Sequence, residues 1–173
     1  PLEHIIAAKA VAFSEALKPE FKDYAKQIVK NAKALADALI KHGFKLQGNG
    51  TENHLILINV KESFDIDGKF FERALDLVGL TLNANAVPGD KGGAFRPSGV
   101  RLGTPAITTR GMRETEMEQI ANWMKQVLEL CKKAKNEAGL SDKNIKQELA
   151  KIHQAVIDLS RKFPVPAIKN KTI

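Results

Sequence analysis

One cysteine, one tryptophan and one tyrosine occur in 173 residues, and aromatic residues make up only 6%. The lone Cys131 cannot close an intrachain disulfide, so a reducing compartment, the cytoplasm, is expected. No apolar run approaches the roughly 20 residues that a membrane-spanning helix needs, and no signal-peptide pattern is present, so no membrane partner is expected. His4, His42, His54 and His153 are scattered without HxxxH or CxxC spacing, which gives no reason to expect a metal site. The scarcity of aromatics leaves no stacking platform for nucleic acid. Internal repeats and low-complexity segments are also missing.

What is present suits one domain with a sizeable core, since 43% of residues are hydrophobic. The net charge is +7. Lys22, Lys26, Lys30 and Lys33 alternate with apolar positions along one helical stretch, which reads as a solvated face. The alternative is a stand-alone basic module that binds an anionic ligand or RNA.

Periodicity organises the chain. Residues 2–17 carry Ile5, Ile6, Ala12, Phe13 and Leu17 as a helical stripe, interrupted at Lys18-Pro19. A second helix is expected over 20–42 with Tyr24, Ile28, Ala32, Leu35 and Leu39 on one face and Gly43 as its C-terminal cap. Leu55 to Val60 is a continuous apolar run, as in a strand buried on both faces. Asp67 starts a helix that Gly79 closes, and Leu80-Thr81-Leu82 reads as a short strand. Helices are expected from Met112 to Lys135 and over 142–162, and Pro164 and Pro166 end regular structure. His54 reads as a structural hydrogen-bonder and Cys131 as a buried small hydrophobe. Trp123 and the methionines read as core or subunit-contact residues. Residues 167–173 are expected to fray.

The most informative stretch is Ser98-Gly-Val-Arg-Leu-Gly-Thr-Pro-Ala106. Turn residues bracket a short strand in which alternation sends Arg101 to the face opposite Val100 and Leu102. A guanidinium on a strand is a rigid fork that fits a carboxylate through two parallel hydrogen bonds. Just upstream, Asn83 to Asp90 and Lys91 to Pro97 form a polar Gly/Pro-rich loop of the kind that lines binding clefts.

These motifs, together with Pro1 to Ala12, Gly50-Thr-Glu-Asn-His-Leu55 and Thr108-Thr-Arg-Gly111, closely resemble the serine hydroxymethyltransferase family in order over nearly all of residues 1–165. The resemblance implies an α+β fold: the small C-terminal domain of a fold-type I transferase dependent on pyridoxal phosphate, a short sheet flanked by helices. Residues 1–18 would be the connecting helix of the large domain, 19–166 the small domain and 167–173 a tail. The implied reaction interconverts serine plus tetrahydrofolate with glycine plus 5,10-methylenetetrahydrofolate, in a homodimer or larger assembly. Arg101 would grip the substrate α-carboxylate. Asn85, Gly93, Ala94 and Phe95 would contact folate, Asn85 by reading the pterin ring with an amide that both donates and accepts. The loop here reads Lys91-Gly-Gly-Ala-Phe-Arg-Pro97 where many relatives carry serine or proline.

The lysine that carries the cofactor in this family lies in a threonine-rich segment of the large domain, and Thr108-Thr109-Arg110 is not that segment. The chain also begins at Pro1 inside a helical pattern. It is therefore expected to be part of a longer enzyme, with no catalytic residue of its own, and to be inactive alone. Another fold-type I amino-acid transferase is a second rival, after the stand-alone basic module; it would share the arginine but not the folate loop.

Overall fold

Proline lacks an amide proton, so Lys18-Pro19 divides the N-terminal helical stretch in two. In the computed structural model, which describes residues 1–93 and 95–166, α1 (Glu3–Ala16) ends there and α2 (Pro19–Lys41) begins with Pro19 in its first turn. α2 stops at Gly43, whose φ of +87° is a conformation that side chains rarely adopt. β1 (Leu55–Asn59) runs directly into the single-turn α3 (Val60–Phe64), because the Asn59 side chain accepts from the Glu62 amide at 3.0 Å. α4 (Gly68–Asp76) is capped by the Asp67 carboxylate, which accepts from the amides of Lys69 at 2.8 Å and Phe70 at 3.3 Å. The strands β2 (Asn83–Asn85) and β3 (Gly99–Gly103) follow, then α5 (Pro105–Thr109), α6 (Glu114–Ala134) and α7 (Lys143–Lys162).

The three strands form an antiparallel sheet in the order β1-β3-β2, with β3 in the middle. The residues of one face (Ile56, Ile58 and Val100) are fully buried against α2, α4 and α6, with Leu102 packed partly against the same core. Phe71, Leu75, Met117, Met124, Leu128, Leu35 and Leu39 fill that core. Trp123 and Cys131 belong to it as well, and burial pushes the Cys131 thiol up to about 12.

Several expectations change here. β1 is buried on one face only: Leu55 is exposed and Leu57 half-buried. Leu80 to Leu82 is not a strand; the ladder with β3 begins at Asn83, and Leu80 and Leu82 serve the core as irregular chain. The His54 side chain lies exposed, and it is its backbone carbonyl that accepts from the Thr104 amide, at 3.2 Å. α1 is apolar on every side instead of along one stripe, and none of its residues is buried: Phe13 is 66% and Leu17, just beyond, 84% exposed. The expected fraying of 167–173 lies outside the described residues.

Candidate functional site

Alternation along β3 puts Val100 at 0% exposure and sends Arg101 to the opposite, open face of the sheet. In register, Arg101 faces Leu57 on β1 and Asn83 on β2. Residues two apart on a strand share a face. Asn85 therefore joins Asn83 and Arg101 there, with Asn59 and Leu55 along the other edge. The result is a polar patch centred on one guanidinium and bordered by two leucines. Among the described residues no carboxylate forms an ion pair with Arg101, whereas Arg73 pairs with Glu137 and Arg110 donates to the carbonyls of Phe163 and Ser160, both at 2.6 Å. Arg110 thus closes the C-terminal end of α7, a structural job for a residue of the Thr108-Thr-Arg-Gly111 motif.

The strand is held from both ends. Thr104, fully buried, donates its hydroxyl to the Ile28 carbonyl at 2.9 Å and so fastens the β3–α5 corner to α2. Asn31, also fully buried, donates to the Thr108 hydroxyl at 2.8 Å and the Met112 carbonyl at 2.9 Å, while Gln27 donates to its amide oxygen at 2.9 Å. These buried polar groups are all partnered, which makes the corner rigid instead of costly. At the entrance, the Ser98 carbonyl accepts from the Lys61 amide and the Pro97 carbonyl from the Gly68 amide, each at 3.0 Å. Gly68 has to be glycine, because a Cβ would run into the carbonyl oxygens of Pro97 and Gly99. Arg101 is therefore mounted on backbone that has little freedom to shift.

The loop between β2 and β3 is organised by Asp90. Its carboxylate accepts from the Ser98 amide at 2.7 Å, the Ser98 hydroxyl at 2.8 Å, the Gly92 amide at 2.9 Å and the Val87 amide at 3.3 Å. The Ser98 amide, then the Gly92 amide and the Ser98 hydroxyl, hold the Asp90 carboxyl down at about 2. From this tied base the loop tip projects. Gly93 has a φ of +60° with open space where a Cβ would be, and Phe95 is 94% exposed. Asn85, half-buried at the loop's start, donates its amide to the Ala86 carbonyl at 2.6 Å. Ala94 lies outside the described residues.

Of the residues singled out from sequence, Arg101 and Asn85 share one sheet face, and Gly93 and Phe95 sit on the adjoining loop. Asn83 and Asp90 have no role assigned by the sequence pattern. Register assigns Asn83 to the Arg101 face. The Pro88-Gly89-Asp90 turn signal could have pointed to Asp90, since aspartate commonly accepts from amides within its own turn. No cluster of three or more His, Cys, Asp or Glu among the described residues is placed to hold a metal ion. Among the described residues every lysine except Lys125 is solvent-exposed, Lys22, Lys26, Lys30 and Lys33 included. Lys125 pairs with Glu129 at 2.7 Å, and its ammonium stands 5.1 Å from the centre of the Phe64 ring. No helix among the described residues is long and apolar enough to cross a membrane.

Two comparisons with known proteins bear on this arrangement. The family model described as serine hydroxymethyltransferase matches residues 1–124. A curated serine hydroxymethyltransferase from Acidobacterium capsulatum is 47% identical over 165 residues, which cover 95% of this chain and 36% of the relative. The chain thus spans about a third of the length of the curated relative it matches.

Proposed function

The chain belongs to the serine hydroxymethyltransferase family, and we propose that it works as part of a longer, cytoplasmic enzyme that interconverts serine plus tetrahydrofolate with glycine plus 5,10-methylenetetrahydrofolate. In this reading residues 1–18 are a connecting helix and residues 19–166 the small domain, in an assembly of two or more subunits.

The observation that carries the reading is Arg101, an arginine at the centre of an open sheet face with no carboxylate partner among the described residues. Its two parallel N–H bonds take the α-carboxylate of serine or glycine, which fixes the amino acid's orientation as well as its affinity. Asn83 and Leu57 flank it and limit where that carboxylate can sit. Folate approaches along the loop: the Asn85 amide supplies a donor and an acceptor for the pterin edge, Gly93 allows close backbone approach, and the exposed Phe95 ring covers an aromatic surface. Ala94 completes that loop in the proposal.

Pyridoxal phosphate, when bound, supplies the electron sink of this chemistry. The described residues do not make its site. A cofactor-bearing lysine is held out of water with a lowered pKa. Among the described residues the lysines lie exposed or, in Lys125, tied to Glu129. The cofactor's lysine therefore belongs to other parts of the enzyme, and the isolated chain is inactive.

The test is Arg101→Lys in the intact enzyme. A point charge cannot reproduce the planar fork, so kcat/KM for serine falls by about 100-fold or more. Near-normal kcat/KM would remove Arg101 from the carboxylate role.

A further inference from the structure

We propose that Asp90 is a positioning residue for the folate substrate: its carboxylate closes the 86–98 loop on itself, so that Gly93 and Phe95 are presented in a fixed arrangement before ligand arrives. The proposal rests on the reading that this loop takes folate.

The geometry separates two kinds of restraint. β3 is held by the ladders to β1 and β2, by the Lys61 and Gly68 amides at its entrance and by Thr104 at its exit. None of these involves Asp90. The partners of Asp90 are the amides of Val87, Gly92 and Ser98 and the Ser98 hydroxyl, so it ties the loop's outgoing limb to its return limb. Among the described residues, two backbone bonds inside the loop add to these: the Asp90 amide to the Val87 carbonyl at 3.0 Å and the Arg96 amide to the Gly92 carbonyl at 3.3 Å. A Cβ on Gly92 would run into the carbonyl oxygen of Arg96, so the tip turns tightly where the carboxylate grips it.

Hydrogen bonds to an ionised acceptor are stronger than neutral ones, and one side chain making four of them replaces much of the order that a long loop would otherwise lose entropy to acquire on binding. Asn85 enters the loop only two residues before Val87, so the pterin-reading amide sits beside the outgoing anchor. Asp90 itself touches neither substrate in this scheme; it acts through the loop.

The consequence is a split between substrates. In the intact enzyme, Asp90→Asn retains one acceptor oxygen and loses the charge and half of the anchoring. It raises KM for tetrahydrofolate by about tenfold, the scale of one lost charge-assisted bond, and leaves KM for serine within about twofold because β3 keeps its own restraints. Ser98→Ala removes only the hydroxyl donor and raises KM for tetrahydrofolate by about two- to threefold; it decides the question if the Asp90 variant does not fold. Equal rises in both KM values, or no rise for tetrahydrofolate, overturn the proposal. Asn85→Ala and Phe95→Ala, measured alongside, test the underlying reading. If they raise KM for tetrahydrofolate while Asp90→Asn does not, Asp90 alone loses its role. If neither raises it, the folate loop and the positioning proposal fall together.

Discussion

The two faces of the small sheet are made by the same three strands and differ in almost everything else. One carries Ile56, Ile58 and Val100 at full burial; the other carries Leu55, Leu57, Asn59, Asn83, Asn85 and Arg101, exposed or half-buried. The buried face ties β1, β3 and three helices into one core. The open face adds little to that core yet inherits its rigidity, since every second residue of β3 belongs to each side. A strand can hold a binding residue in place without that residue contributing to stability. The division of labour implies that substitutions on the two faces affect different measurements.

The largest expected difference is in stability. Ile58→Ala empties a fully buried site and costs about 2–5 kcal/mol, whereas its neighbour Leu57→Ala, half-buried on the other face, costs about 1 kcal/mol or less. Chemical denaturation of both variants checks this, and equal losses would mean that the open face is covered in solution. Next, Arg101→Leu changes unfolding free energy by no more than about 0.5 kcal/mol, because among the described residues the guanidinium has no ion-pair partner to lose. A loss above about 2 kcal/mol would reveal a structural partner and weaken the binding role. The smallest effect concerns pH. Asp90 is depressed from 3.8 to about 2, so its anchoring is fully present above 3.8 and fades as pH falls through about 2. The amide proton resonances of Ser98 and Gly92 should hold steady from neutral pH down to 3.8 and shift only below it. A midpoint near 3.8 would show that the four bonds do not form in solution.

Local chemistry made much of this legible in the sequence. Glycines 43 and 79 end helices at positive φ, Asp67 caps α4, and alternation alone put Arg101 opposite Val100. The errors share a physical origin. Leu55 to Ile58 reads as doubly buried because apolar residues occupy both faces, and a sequence does not say which apolar surface another body covers. Asn83 to Asn85 reads as loop because asparagine is a turn former; its strand geometry comes from pairing with residues 99–101, which lie beyond any local window. α3 and α5 are single turns, too short to carry a period. Asp90 draws a donor from eight residues away, so its clasp emerges only when the loop closes. For α1 the spread of apolar residues around the helix follows from the sequence at 3.6 residues per turn, but that none of them is buried required coordinates.

The middle position of β3 has a consequence for synthesis. β1 and β2 do not pair with each other; both wait for the strand that is made last. Leu55 to Asn59 leaves the ribosome without its sheet neighbour β3 until Gly103 has followed, 44 residues after Asn59. At ordinary translation speeds that interval is about 2–9 s. During it, the edge of β1 that β3 will occupy is open to any neighbouring nascent chain, while Lys45 and Leu46, made earlier, pair with the strand's C-terminal end. α2, made before β1 and packed against it in the finished fold, is the element at hand to cover Ile56 and Ile58 in that interval. The order of strands along the chain therefore leaves one edge of β1 open until the middle strand arrives.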